Sequence, residues 1–281
     1  MSAAASFPDL SLDTWRGTRD TVHGYAKVLG KIRRAMAPPE KHWWHISLRA
    51  TAAGLTTTPL PAGDRVVELI LSFTDHRLHV VTNRGEHKEV LVTGQSSAVF
   101  CGSALDALAA LGIAAPIDRD SFSDTNPGEY DDSAMTRFWR VLPQIDVALK
   151  RLKSEHRRES SPVQIWPHHF DLAVLLLTGR QVPGTDPQDA ESADEQMNFG
   201  FTTGDSSVPE PYFYATAYPP PDGFTATKLP EGAYWHTHGW TGAALRYEML
   251  RSMRHPADRL LEFYRAARDA GFRLMASKDS I

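Results

Sequence analysis

The chain has 281 residues, 42% hydrophobic and 23% charged, with a net charge of −4 and one cysteine. That length and balance predict a soluble globular protein with enough chain for a large core, in one domain or two. The slight acidic excess gives no footprint for a nucleic-acid partner, and the single Cys101 excludes both an internal disulfide framework and zinc motifs built on cysteine pairs.

At the start, Met1-Ser2-Ala3-Ala4-Ala5-Ser6 has no basic n-region and no long apolar core, so a signal peptide is not expected. No run reaches the length of a membrane helix, and a cytoplasmic location is the expectation. Residues 14–36 place Val22, Tyr25, Leu29, Ile32 and Met36 at spacings of three and four, which predicts an amphipathic helix stopped by Pro38-Pro39. Aromatic and β-branched residues then predict a strand over 42–51. Further strands are expected at 66–73, 77–82 and 88–93, with Asp75-His76 turning the first of these into the second. A closing helix is expected over 97–111, stopped by Gly112.

A Pro-, Gly-, Ser- and Asp-rich linker spans 115–132. After it a helix is predicted over 133–155 and a strand over 163–178, bent near Pro167. The acidic segment 183–196 reads as a surface loop. Strands follow near 197–202, 212–217 and 233–240, and a last helix is expected over 256–270, with Gly271 at its end.

The two halves share landmarks. A shift of 124 carries Trp15 onto Trp139, Pro38 onto Pro162, and His45-Ile-Ser-Leu48 onto His169-Phe-Asp-Leu172. The expectation is an α+β fold made of internally duplicated α-β-β-β-(β)-α units, residues 14–112 and 138–272, in one pseudo-twofold domain. Antiparallel sheet covered by helices follows from consecutive short-linked strands. Two separable domains joined near residue 120 are the alternative.

Gly30-Lys31-Ile32-Arg33, Pro38-Pro39, His42-Trp43-Trp44-His45 and Gly54-Leu55-Thr56-Thr57 carry a resemblance, as do Phe170-Asp171-Leu172-Ala173, Gly179-Arg180 and Pro209-Glu210-Pro211-Tyr212-Phe213-Tyr214-Ala215. With these motifs the chain resembles, from Trp15 to the final helix, the bacterial proteins catalogued as domain of unknown function 5996. The resemblance implies no particular chemistry. It does imply that chemistry resting on His168, His169, His236 and His238 would belong to a branch, because the family pattern does not generally keep histidine there.

The histidines are clustered. On a strand, residues two apart share a face, so His169 and Asp171 form one same-face pair, and His236 and His238 another. These four are the candidate ligands for one divalent metal, Zn²⁺ or Fe²⁺. The bland reading has the imidazoles packing beside tryptophan and bonding to backbone. The duplication makes His45 and His169 equivalent, so both are candidate catalytic residues in a shared cleft, with Asp171 orienting His169 as general base. Glu210, Tyr212, Tyr214, Trp44 and Trp235 are the candidate ligand-binding residues. Against them stands a plain edge strand with structural aromatics. His23, Lys27 and Lys31, at spacing four, read as a solvated helix face, and Lys31, Arg33 and Arg34 as an ordinary helix end. No glycine-rich phosphate loop, dinucleotide fingerprint or Gly-x-Ser-x-Gly elbow occurs, so no nucleotide cofactor is expected. The functional expectation is a small-molecule enzyme with a His- and Trp-lined cleft between the two repeats. Its alternative is a non-catalytic ligand- or partner-binding protein using the same cleft.

Overall fold

The computed structural model describes residues 7–276. Met1–Ser6, the segment read for signal features, lies outside the described residues. The chain divides into two compact units. Among the described residues, one holds Leu12–Pro143 with Gln164–Phe170; the other holds 7–11, Gln144–Val163 and 171–276.

In the first unit, helix α1 (Arg16–Met36) buries the predicted stripe, with Val22, Tyr25, Leu29 and Ile32 fully enclosed. Strands β1 (Arg49–Ala50), β2 (Gly54–Thr56), β3 (Leu60–Ala62), β4 (Arg65–Ser72), β5 (Arg77–Thr82) and β6 (His87–Leu91) follow. They form an antiparallel sheet in the order β1-β2-β4-β5-β6, with β3 on β4. Period-two alternation sends Val67, Leu69, Leu71, Leu78 and Val80 into the core. Helix α2 (Ser97–Ala109) begins at Ser96, whose side chain accepts the Val99 N–H at 3.2 Å. It packs on α1, β5 and β6, and Tyr25 stacks on Phe100 at 4.1 Å. Helix α3 (Asp132–Ser154) runs on through Pro143. From its first half Trp139 packs on Phe73 and donates Nε1–H to the Ala52 carbonyl at 3.0 Å. Strand β7 (Gln164–Trp166) completes this unit.

In the second unit, β8 (Asp171–Gln181), β9 (Asp194–Thr202), β10 (Tyr212–Tyr218), β11 (Ala233–His236) and β12 (Gly242–Arg246) make an antiparallel sheet in the order β8-β9-β10-β12-β11. Asp171 to Thr178 is buried without alternation, so both faces of β8 are covered. Phe201, Phe213 and Tyr247 cluster, and helix α5 (Pro256–Ala276) lies on β9 and β10 after the short α4 (Tyr247–Ser252). The architecture is α+β with antiparallel sheets, as expected.

Several expectations need correcting. Residues 41–46 are a 3-10 turn, not strand, because His42 and Trp43 take positive φ (50° and 57°). His169 lies in the turn between β7 and β8, and β8 opens only at Asp171. Strand β11 ends at His236, so His238 shares no strand face with it. Helix α5 passes through Gly271 to Ala276, and this glycine makes room for the Met197 sulfur instead of ending the helix. Strands β2, β3 and β12 were missed; the first two are three residues each, too short to show a period. Trp15 stands at the N-cap of α1 whereas Trp139 lies within α3, so the shift of 124 places these two at different helical positions.

Candidate functional site

The polar side of α1 lines an open groove in the first unit. Lys27, Lys31 and Arg34 fall at spacings of four and three, one above another on one helix face. They line this open groove of about 600 Å³, flanked by Ile46, the Pro116–Asp118 turn and Pro167-His168. Gly30 makes the approach of Pro167 possible: a Cβ there would stand 2.7 Å from the Pro167 Cβ. Two of the cations are seated on rings. The Arg34 guanidinium lies 5.1 Å from the Trp43 ring centre, and the Lys31 ammonium 5.8 Å from that of Phe122. The one carboxylate in the wall, Asp118, accepts the Asp120 N–H at 3.0 Å and so caps a 3-10 turn. Beneath α1, Arg33 is buried and donates to the Trp44 carbonyl (3.3 Å) and Ser47 Oγ (3.4 Å). Arg49 donates to the same Ser47 Oγ at 2.6 Å. Burial and the nearby Arg33 charge push the Arg49 guanidinium down to about 10. It therefore stays charged at neutral pH, and the local field is positive.

His168 lines the same groove. Burial, then the neighbouring His169 and Lys27, hold its imidazole below the ordinary range, so the ring is neutral at pH 7. Its carbonyl accepts from His23 Nε2 at 3.1 Å, and the His23 ring stacks on Phe170 at 5.3 Å.

The residues expected to carry function lie as follows. His45 is buried, and its Nδ1 accepts the Glu40 N–H at 3.1 Å. Trp44 is buried against His42. His169 and Asp171 belong to different units, and the His169 ring packs on that of His168 at 4.3 Å. Asp171, Tyr214, Tyr212, Glu210, Trp235, His236 and His238 all belong to the second unit. There the buried Tyr214 donates to Asp171, and the Tyr212 hydroxyl donates to Asp205 at 2.5 Å. Glu210 pairs with Arg246 at 3.1 Å, and Trp235 donates to the Thr227 carbonyl at 2.8 Å. His236 donates from Nε2 to the His238 carbonyl at 2.6 Å and packs on Trp240. Thus Asp171 and Tyr214 do come together, as a buried pair, whereas within the second unit Asp171, His236 and His238 form no cluster of metal-ligand atoms among the described residues. Tyr214→Phe is expected to cost about 1.5 kcal/mol in urea unfolding, the worth of a hydrogen bond to a charged group. Stability equal to that of the native chain would mean the pair contributes nothing.

The comparisons with known proteins add one match. The model of a family described as of unknown function (DUF5996) matches residues 7–279. The chain belongs to that family. No curated protein and no solved structure matches it. Among the described residues no helix is long and apolar enough to cross a membrane.

Two motifs that carried the resemblance to DUF5996 take on physical roles in the groove. Gly30-Lys31-Ile32-Arg33 supplies the close approach to Pro167, one exposed cation, one core side chain and one buried cation. His42-Trp43-Trp44-His45 folds into the positive-φ turn that brings Trp43 beneath Arg34. Sequence reasoning set aside Lys27, Lys31 and Arg34 because a helix face lined with cations ordinarily meets water. The signal that could have found them was the combination of that row with the 115–132 linker and Pro167, which line the groove beside it.

Proposed function

We propose that the protein binds a small anionic molecule, bearing phosphate or carboxylate, in the groove along α1. The observation that carries this reading is the row Lys27, Lys31 and Arg34 in a concave wall whose only carboxylate is committed to a backbone N–H. Cations on rings are held in place before a ligand arrives, which lowers the ordering cost of binding. The Arg34 fork suits a planar two-oxygen partner, and the two ammonium groups act as point charges beside it. The neutral His168 ring offers one donor or acceptor at the rim, and it is the imidazole we place nearest a ligand, ahead of His169 or His45. Of the two functional classes open from the sequence, the geometry favours ligand binding. The shared order of a helix, six strands and closing helix, α1 with β1–β6 and α2, then α3 with β7–β12 and α4–α5, supports descent of the two halves from one duplicated ancestor.

Calorimetry with inorganic phosphate, phosphorylated sugars and small di- and tricarboxylates tests the reading. At least one anion should bind with one-to-one stoichiometry, and Lys27→Ala, Lys31→Ala and Arg34→Ala should each weaken it about tenfold, the loss of one charge-assisted hydrogen bond. Arg34→Lys should weaken it too, because an ammonium cannot stack as a guanidinium does. Arg84→Ala, at an exposed pair with Asp64, should leave binding unchanged. Failure of every anion to bind, or equal binding by the triple Lys27/Lys31/Arg34 alanine variant, would sink the proposal.

A further inference from the structure

The hairpin of β5 and β6 gathers a second set of chemistry-bearing side chains, independent of the groove. In the antiparallel register His79 stands opposite Glu89, and Val81 opposite His87. Residues 87 and 89 share a face of β6, and cross-strand partners share a face of the sheet, so His79, His87 and Glu89 lie on one side. That side is the one turned away from the core: Leu78 and Val80 are fully buried, whereas His79 is partly exposed and His87 and Glu89 are exposed.

The three ligand atoms converge. His79 Nδ1 is 3.1 Å from His87 Nε2 and 3.7 Å from Glu89 Oε1, and His87 Nε2 is 3.6 Å from the same oxygen. Ligands about 2.0–2.1 Å from a zinc ion stand roughly 3.3 Å apart along the edge of a tetrahedron. The triangle already has nearly that size. Among the described residues it is also the one group of three or more His, Cys, Asp or Glu side chains whose ligand atoms come this close.

The surrounding groups fix the orientation. His79 Nε2 lies 2.8 Å from Asp75 Oδ2, so that nitrogen carries the proton and the neutral ring turns the lone pair of Nδ1 into the triangle. A carboxylate behind a ligating histidine is the usual outer support of a metal site. Arg77 Nη1 sits 3.3 Å from Glu89 Oε2, which leaves Oε1 directed at the histidines. The two rings lie nearly parallel, 17° apart. Without a metal, a proton must sit between Nδ1 and Nε2. A divalent cation can replace it.

We propose that His79 Nδ1, His87 Nε2 and Glu89 Oε1 bind one Zn²⁺, with Asp75 as positioning residue and the fourth position open to solvent. Two imidazoles with one carboxylate suit zinc, and the exposed side of the sheet leaves room for water or a ligand at the open position. The ion would also tie β6, an edge strand, to β5.

The test uses the untagged full chain, stripped with chelator and titrated with zinc chloride at pH 7.5. One equivalent should bind, with proton release, and binding should fade on acidification as the imidazoles protonate. His87→Ala and the near-isosteric Glu89→Gln should each weaken binding at least tenfold, with an unchanged circular dichroism spectrum. Asp75→Asn should weaken it by roughly 10- to 100-fold. In that variant the imidazole ¹⁵N spectrum should show His79 losing its preference for the proton on Nε2, which a merely structural aspartate would not change. In the native chain, zinc should shift the ¹⁵N signals of His79 Nδ1 and His87 Nε2. His236→Ala with His238→Ala should leave the affinity as it was. No binding at tens of micromolar zinc, equal binding by the His79→Ala/His87→Ala double variant, or loss of binding on replacing His236 and His238 instead, overturns the proposal.

Discussion

Gly54→Ala should destabilise the first unit by about 3 kcal/mol, the upper end of what overpacking a well-filled interior costs. A Cβ on residue 54 would overlap the Leu71 carbonyl oxygen and stand 2.8 Å from the Ser72 Cα. Both are backbone atoms of β4, which pairs on either side with β2 and β5 and cannot give way as a side chain can. The strain must therefore lift β2, loosening Leu55 and Leu71, which are fully buried. The tight loop that ends in Gly54 adds to the resistance: the Gly54 N–H donates to Thr51 Oγ1 at 2.9 Å and its carbonyl accepts the Thr51 N–H at 2.8 Å. Urea unfolding followed by tryptophan fluorescence reads the effect, since Trp139 bonds to Ala52 in the same loop. Gly85→Ala is the informative contrast. That glycine has a φ of +81° with open space around it, so only backbone strain of about 1 kcal/mol is expected. A Gly54→Ala chain within about 0.5 kcal/mol of the native one would show that the β2–β4 approach is not rigid.

What the sequence revealed follows from the range over which each signal acts. Helices α1 and α3 and strands β4 and β5 were legible because their apolar spacing repeats over two or more periods. Residues 41–46 were misread because aromatic content favours strand on average, while the left-handed backbone of His42 and Trp43 leaves no trace in composition. Two further readings overextended strands. The same-face pairing of His169 with Asp171 assumed strand where there is a turn, and the pairing of His236 with His238 assumed a strand running four residues past its end at His236. The triangle of His79, His87 and Glu89 depends on the cross-strand register of a hairpin, which neither strand encodes alone. The groove residues were visible as a row of cations, but their concavity comes from Pro116 and Pro167, 89 and 140 positions beyond Lys27.

Acidification should weaken the first unit through His23, and His23→Gln should remove that weakness. Burial, reinforced by the Lys27 charge one turn along α1, lowers this imidazole from 6.5 to about 4. The neutral form is the one the fold accommodates, with Nε2–H donated to the His168 carbonyl and the ring stacked on Phe170. The sign follows from proton counting. Between pH 6.5 and about 4 the unfolded chain binds a proton at this ring and the folded chain does not, so stability falls as the pH falls. The full contribution is present above pH 6.5 and is lost by about pH 4. A depression of that size corresponds to about 3 kcal/mol, and the solvent reaching the half-buried ring reduces this to about 2 kcal/mol. Glutamine keeps a donor for the His168 carbonyl and cannot titrate, so its stability curve should be flatter across the window by that amount. The measurement is the urea midpoint at half-unit steps from pH 7 to pH 4, with His238→Gln as a control in the second unit. Parallel curves for native and His23→Gln chains would mean that the ring protonates in the folded state at its ordinary pH. An anion held by Lys27 would oppose the loss by offsetting the charge that depresses His23. Adding a ligand found by calorimetry should therefore move the native acid limb to lower pH and leave the slope of the His23→Gln curve unchanged.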